Sequence, residues 1–242
     1  MAVYTDISND ELDALLREYE IGKALSCKGI AEGVENSNFL LHTQTGFYIL
    51  TLYEKRVDKD DLPFFLGLME HLAEKGFVSP TPIVSKSGKT LTTVAGRPAA
   101  VIAFLEGRSI RRVTPNHCAL LGDSLAKLHI SAADFDIKRP NTLSIGSWRN
   151  LFNDCLSSQE NSTFKPSEFS EIEAELSFLE EHWPTNLPSG VIHADLFPDN
   201  IFFLNDQVSG VIDYYFAYND FLIYDLAICI NAWCFETDAS FN

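Results

Sequence analysis

One stretch limits the architecture more than any other. Residues 191–203 read V-I-H-A-D-L-F-P-D-N-I-F-F, and residues 208–214 read V-S-G-V-I-D-Y. An apolar strand enters a polar loop carrying His193, Asp195 and Asn200. A short strand at 201–204 follows, then a turn at Asn205-Asp206. Val208 to Ile212 forms another strand that delivers Asp213 at its end. Asp and Asn are ordinary turn residues, and Pro198-Asp199-Asn200 alone would pass for a simple turn. The apolar strands on both sides, and the carboxylate closing the last of them, make the stretch more than that.

The rest of the chain divides around residue 106. Before it, the pattern predicts a mostly antiparallel sheet with one internal helix. A first helix is expected over Asn9 to Tyr19, capped by Ser8 or Asn9, with Leu12, Leu15, Leu16 and Tyr19 at helical spacing. Strands are expected at 24–31, 38–43 and Phe47 to Tyr53, then a helix over about Asp60 to Lys75. Ser79-Pro80-Thr81-Pro82 must be extended, because proline biases its predecessor away from helix. Further strands are expected at Ile83–Val84, Leu91–Val94 and Ala99 to Leu105. After residue 106, helices are expected from Pro115 to about His129, at 146–158 and at 167–182. A last helix, Tyr224 to Phe235, is apolar nearly all round and is expected to be buried.

Charge narrows the function classes. With 34 acidic and 18 basic residues, the net charge is -16, which disfavours nucleic-acid binding. A hydrophobic fraction of 46% supports a sizeable core. Apolar runs such as Leu62 to Met69 are too short to span a bilayer. The acidic N-terminus lacks a signal-peptide pattern, so a cytoplasmic soluble protein is expected, with no membrane partner. The five cysteines are scattered and are read as reduced thiols. His117, His129 and His182 are read as helix-surface or satisfied core residues, without metal-site spacing.

The spacing H-x-D-x-x-x-x-N, with Asp213 thirteen residues further on, is that of a protein-kinase catalytic loop, with I-D-Y replacing D-F-G. A hydroxyl attacking the γ-phosphorus of ATP must lose its proton, and Asp195 is the candidate acceptor. Mg²⁺ prefers hard oxygen ligands, which Asn200 and Asp213 would supply. His193 would support the loop.

The chain resembles the aminoglycoside-phosphotransferase-like kinases and, within them, the bacterial homoserine kinases of that fold. The resemblance rests on A-E-G-V-E-N-S-N-F-L-L, Y-I-L-T-L-Y-E-K-R, D-L-P-F-F-L-G-L-M-E-H-L, R-P-N-T-L-S-I-G-S-W-R-N-L-F, I-H-A-D-L-F-P-D-N and F-A-Y-N-D-F-L-I-Y-D-L-A-I-C-I-N-A-W. It implies an α+β, two-lobed, protein-kinase-like fold. A small antiparallel N-lobe with one helix would span 1–105. A mainly helical C-lobe would span 106–242, with ATP and Mg²⁺ in the cleft. The implied activity is phosphorylation of the side-chain hydroxyl of L-homoserine, on the route to threonine. Alternatives are another amino alcohol as acceptor (choline or an aminoglycoside) and an inactive nucleotide-binding module.

Further roles follow from the resemblance. Gly33, Asn36, Ser37 and Asn38 would belong to a phosphate-covering turn, although an ordinary hairpin turn reads equally well. Ala103 and Leu105 would meet adenine at the interlobe hinge. Asp225 would brace the catalytic loop, or else cap the following helix. Kinases of this fold carry a cation on the third strand, where this chain has Thr51. Lys55 is the substitute phosphate contact, with a solvated turn lysine as the alternative, and Glu70 is the candidate partner for such a cation. Arg139, Asn141, Trp148, Arg149, Asp220 and Tyr224 are candidates for the zwitterionic acceptor. The family continues through more C-terminal helices than follow T-D-A-S-F-N, so a truncated helical lobe and an incomplete acceptor pocket are expected. No oligomeric state follows from the sequence.

Overall fold

The computed structural model describes residues 4–31, 36–54, 57–157, 165–236 and 240–241. Helix α1 (Asn9–Arg17) starts at Ser8, whose hydroxyl accepts from the Glu11 amide while the Glu11 carboxylate accepts from the Ser8 amide. This reciprocal cap satisfies donors that a first helical turn leaves without partners. Leu12, Leu15 and Leu16 share its buried face.

That face packs on a five-stranded antiparallel sheet. Its strands are β1 (Ala24–Gly29), β2 (Ser37–Thr43), β3 (Phe47–Leu52), β4 (Thr92–Val94) and β5 (Arg97–Ala103), in the order β1-β2-β3-β5-β4. The two-residue period of a strand decides what each face meets. Phe39, Leu41, Leu50, Leu52, Ala99 and Val101 lie against α1. Ala100, Ile102 and the following Tyr53 turn to the opposite side, against α2 (Leu62–Glu74) and the helical lobe.

Two sheet expectations are corrected. Ile83–Val84 is not a strand: Pro82 makes one bridge to Ile102, and the Ile83 amide bonds Val101. Proline at positions 80 and 82 removes the donors a ladder needs there. Strand β5 ends at Ala103, two residues short of the expected Leu105.

The helical lobe contains α3 (Pro115–Ser131), α4 (Ile145–Ser157), α5 (Pro166–His182) and α6 (Leu222–Trp233). Thr114 caps α3, and Pro115 takes its first turn, where a missing N–H costs nothing. Two small antiparallel pairs lie among the helices. Strand β6 (Ser189–Ile192) pairs with β9 (Tyr218–Phe221), and β7 (Ile201–Leu204) with β8 (Gln207–Val211). Helix α6 departs from its expected all-round burial. Asp225, Cys229 and Trp233, four residues apart, are buried, whereas Ile223, Leu226 and Ile230 are 54%, 40% and 38% exposed.

Helix α2 is tied to the helical lobe at both ends. Asp61, just before it, pairs with Arg139, while His71 and Lys75 reach Asp134. Between these ties, Phe64 packs edge-on against Phe135, and a Cβ at Gly67 would meet Ile137 at 3.4 Å. No described helix is long and apolar enough to cross a membrane.

Candidate active site

Strand β6 runs into the loop that begins with His193. This imidazole is fully buried and bonds the Ile212 carbonyl through Nε2 at 2.9 Å. Its Nδ1 accepts from the Asp195 amide at 3.3 Å. The proton therefore sits on Nε2 and the ring is neutral, consistent with burial pushing its pKa below the ordinary histidine value. His193 thus ties the start of the loop to the end of β8.

Asp225, in the first turn of α6, holds the same loop from behind. Its carboxylate is completely buried and accepts three hydrogen bonds: from the His193 amide at 2.9 Å, the Ala194 amide at 3.0 Å and His129 Nε2 of α3 at 2.9 Å. Ala194 adopts φ +61°, a left-handed conformation costing an L-residue roughly 1–2 kcal/mol. The Asp225 bond to its amide opposes that cost. Of the two readings of Asp225, the geometry shows a brace: its oxygens bond the loop amides, and no side chain caps α6.

The braced loop presents Asp195. Asn200 Nδ2 donates to the Asp195 carbonyl at 2.7 Å and to its Oδ2 at 2.9 Å. Burial first, and the Asp213 charge second, push the Asp195 carboxyl up to about 6, against the pull of the Asn200 amide. The Ile212 amide bonds the Asn200 carbonyl at 2.9 Å, which brings the Asn200 and Asp213 positions together. Asp213 itself is left-handed, at φ +65°. With its amide nitrogen turned to Asp195, Asn200 keeps Oδ1 as a hard oxygen donor beside a carboxylate. This donor set suits Mg²⁺, which takes few protein ligands and leaves the rest to phosphate and water. Among the described residues, no group of three or more His, Cys, Asp and Glu could hold a metal.

The expected phosphate-covering residues are arranged differently. Ser37 is fully buried on the α1 side of β2, in phase with Phe39 and Leu41. Its hydroxyl donates to Glu54 Oε1 at 2.7 Å and accepts from the Tyr4 and Thr5 amides at 2.8 and 3.2 Å. Glu54 also pairs with Arg97 at 3.2 Å. Asn36 Oδ1 accepts from the Glu54 amide, and Asn38 Oδ1 accepts from the Thr51 hydroxyl. These bonds tie the Ser37 hydroxyl and the carbonyl oxygens of Asn36 and Asn38 to the sheet and the N-terminal segment. Gly33 and Lys55 lie outside the described residues. Glu70 is partly buried, and burial, then Glu74, raises its pKa. It has no ion pair with a described cation. Ala103 ends β5, and Leu105 packs so closely on Gly210 of β8 that a Cβ there would come within 2.7 Å of Leu105 Cδ1.

The acceptor candidates separate into two groups. Arg139, Asn141, Asp220 and Tyr224 gather around β9. Arg139 Nε donates to Asp61 Oδ2 at 2.7 Å and a terminal nitrogen donates to the Ala217 carbonyl at 3.1 Å. Its guanidinium also lies 4.1 Å from the centre of the Tyr218 ring. Arg139 is therefore an interlobe tie as it stands. Asn141 Nδ2 donates to Asp220 Oδ2 at 2.7 Å, and burial, with Asp220 next, raises the Tyr224 pKa. Trp148 and Arg149 belong elsewhere. Trp148 meets Trp183 edge-on, and Arg149 pairs with Glu173 and Glu180 of α5.

Sequence reasoning missed the role of His129 and the existence of β9. The tyrosine and phenylalanine bounding Y-N-D-F were the available strand signal. His129 follows the apolar stripe of α3 by one residue, which does not by itself reveal its partner.

With this geometry, the comparisons are specific. The model of the phosphotransferase enzyme family (APH) matches residues 26–242, and the chain belongs to that family. Homoserine kinase from Brucella anthropi is 57% identical over 242 residues, covering 100% of this chain and 74% of the relative. Homoserine kinase from Rhizobium meliloti is 59% identical over 247 residues, with the same coverages of 100% and 74%. Among solved structures, amicoumacin kinase bound to AMP-PNP and Ca²⁺ has a TM-score of 0.73 at 16% identity, covering 91% of this chain and 67% of that one. Choline kinase from Cryptosporidium parvum has a TM-score of 0.67 at 18% identity, covering 95% of this chain and 72% of that one. The shared fold is protein-kinase-like.

Proposed function

We infer that this chain is a small-molecule kinase that transfers the γ-phosphoryl group of ATP to the side-chain hydroxyl of L-homoserine. The observation that carries the reaction class is the braced loop: Asp195, oriented by Asn200, stands beside Asp213 at the end of β8. Identity of 57–59% over the whole chain to homoserine kinases supports the choice of acceptor.

In the proposed mechanism, Asp195 aligns the acceptor hydroxyl and takes its proton as the new O–P bond forms. The bond between the γ-phosphorus and the β,γ-bridging oxygen breaks, releasing ADP. Asn200 Oδ1 and the Asp213 carboxylate would hold Mg²⁺, which when bound offsets negative charge on the phosphate oxygens. His193 keeps the loop in register and does not titrate in the cycle. Backbone at 33–38 would cover the phosphates, with Lys55 as the phosphate cation and residues 103–105 against adenine. The lobes are divided at 105/106, with the nucleotide between them. Asn141, Asp220 and Tyr224 offer acceptors for the ammonium of homoserine, while Arg139 shapes that side of the cleft. Trp148 and Arg149 are assigned to α4–α5 packing. The proposed setting is cytoplasmic, without a nucleic-acid or membrane partner.

The test is coupled ADP release from the purified chain, with homoserine, choline and an aminoglycoside offered separately. Homoserine-dependent release supports the reading. Release only with another acceptor overturns the substrate, and ATP binding without turnover overturns the kinase assignment.

A further inference from the structure

A groove of about 880 Å³ runs beside edge strand β4, between the end of α1, the 85–89 turn and the start of α2. A second hollow of about 680 Å³ continues it, sharing Lys59 and Pro98. No residue of the 193–213 loop and hairpin lines either space. The charge balance inverts here. The whole chain has 18 cations against 34 acids, yet Arg17, Lys59, Lys86 and Lys89 line the larger groove with Glu18 as its one acid.

None of these four cations forms a salt bridge with a described residue. The surface is also built rather than incidental. Lys86 Nζ donates to the Arg17 carbonyl at 2.9 Å, and the Lys86 amide to the Glu18 carbonyl at 2.8 Å, docking the turn on α1. Within the turn, the Lys89 amide donates to the oxygen of buried Ser85, whose hydroxyl lies 3.0 Å from that of exposed Ser87. Lys86 is already engaged by the Arg17 carbonyl, and an anion seated in the groove would meet the other exposed cations that line it. A long polyanion is disfavoured by the field of a chain at -16. The space suits a metabolite-sized ligand.

We propose that this groove is a second anion site, outside the 193–213 loop and hairpin, that takes a small molecule carrying a phosphate group. Lys59, just before α2, and Lys89, in the docked 85–89 turn, supply the charge. The ligand source is either free phosphate or a phosphate monoester.

The proposal is tested by calorimetry on the full chain saturated with ADP and Mg²⁺, so that the cleft is filled. Inorganic phosphate is titrated in one arm and glycerol phosphate in the other, at constant ionic strength. Saturable binding is expected, weakened about tenfold by the Lys59→Ala/Lys89→Ala double variant and further by Lys89→Glu, with ADP affinity unchanged. Tighter binding of the ester identifies a metabolite as the source; equal or weaker binding of the ester identifies free phosphate. No saturable binding in either arm up to about 20 mM, or binding that the variants leave intact, overturns the site.

Discussion

In loop 193–200, neighbouring groups hold the chemistry-bearing side chain. In residues 36–38, the side chains do the holding. Asp195 is oriented by Asn200, and its backbone is fixed by His193 and, through the preceding residues, by Asp225. Ser37 spends its hydroxyl on Glu54 and on the N-terminal segment, while Asn36 and Asn38 accept through Oδ1 from the Glu54 amide and the Thr51 hydroxyl. On the proposed function, the first arrangement preorganises a side chain for proton transfer. The second ties β2 to the end of β3 and to the N-terminal segment. Similar-looking polar runs thus do opposite work, and the hydrogen-bond direction reveals which is which.

Substitutions test this contrast, beginning with the largest effect. Asp195→Asn is expected to lower kcat by about a thousandfold while ADP affinity changes little. Turnover near the parent value would break the comparison on its catalytic side. Asp225→Asn puts an amide where two backbone N–H groups and His129 need an acceptor, so kcat should fall about 10- to 100-fold through loop displacement. Steady-state kinetics alongside nucleotide titration separates that from lost binding. With the Asp195 carboxyl pushed up to about 6, acid protonates it and removes the proton acceptor. The pH profile of kcat/KM should therefore fall about tenfold per unit below that value and level off above it. Ser37→Ala should leave the KM for ATP unchanged but cost about 1–3 kcal/mol of stability, read from urea melts, because buried Glu54 keeps only Arg97 and the Tyr4 and Thr5 amides lose their acceptor. A raised KM without lost stability would return Ser37 to the phosphate site.

The candidate catalytic stretch was legible because its strands are short, apolar and closed by turn residues, so the loop with His193, Asp195 and Asn200 and the strand end at Asp213 could be placed without tertiary information. Thr114-Pro115 and Ser8 with Glu11 were equally readable, since caps are local. Ser37 was harder. As a small polar residue it resembled loop, and only its phase with Phe39 and Leu41 reveals its inward side. Helix α6 misled because an apolar sequence does not say which of its faces finds a partner. The separation of Arg149 from Asn141 and Asp220 depends on how α4 packs on α5, which local pattern does not encode.

Helix α2 is encoded between strands of the first lobe yet fastened near both ends to residues of the second. A rod pinned at two points cannot pivot about either one. If the cleft narrows around its substrates, either the five-stranded sheet shifts against α2 or these ion pairs give way, the exposed pair at Asp134 first. Residues 134 to 139 carry the partners of all three ties, so any mechanical coupling between the lobes through α2 runs through a segment that also holds Arg139 on the acceptor side of the proposed cleft.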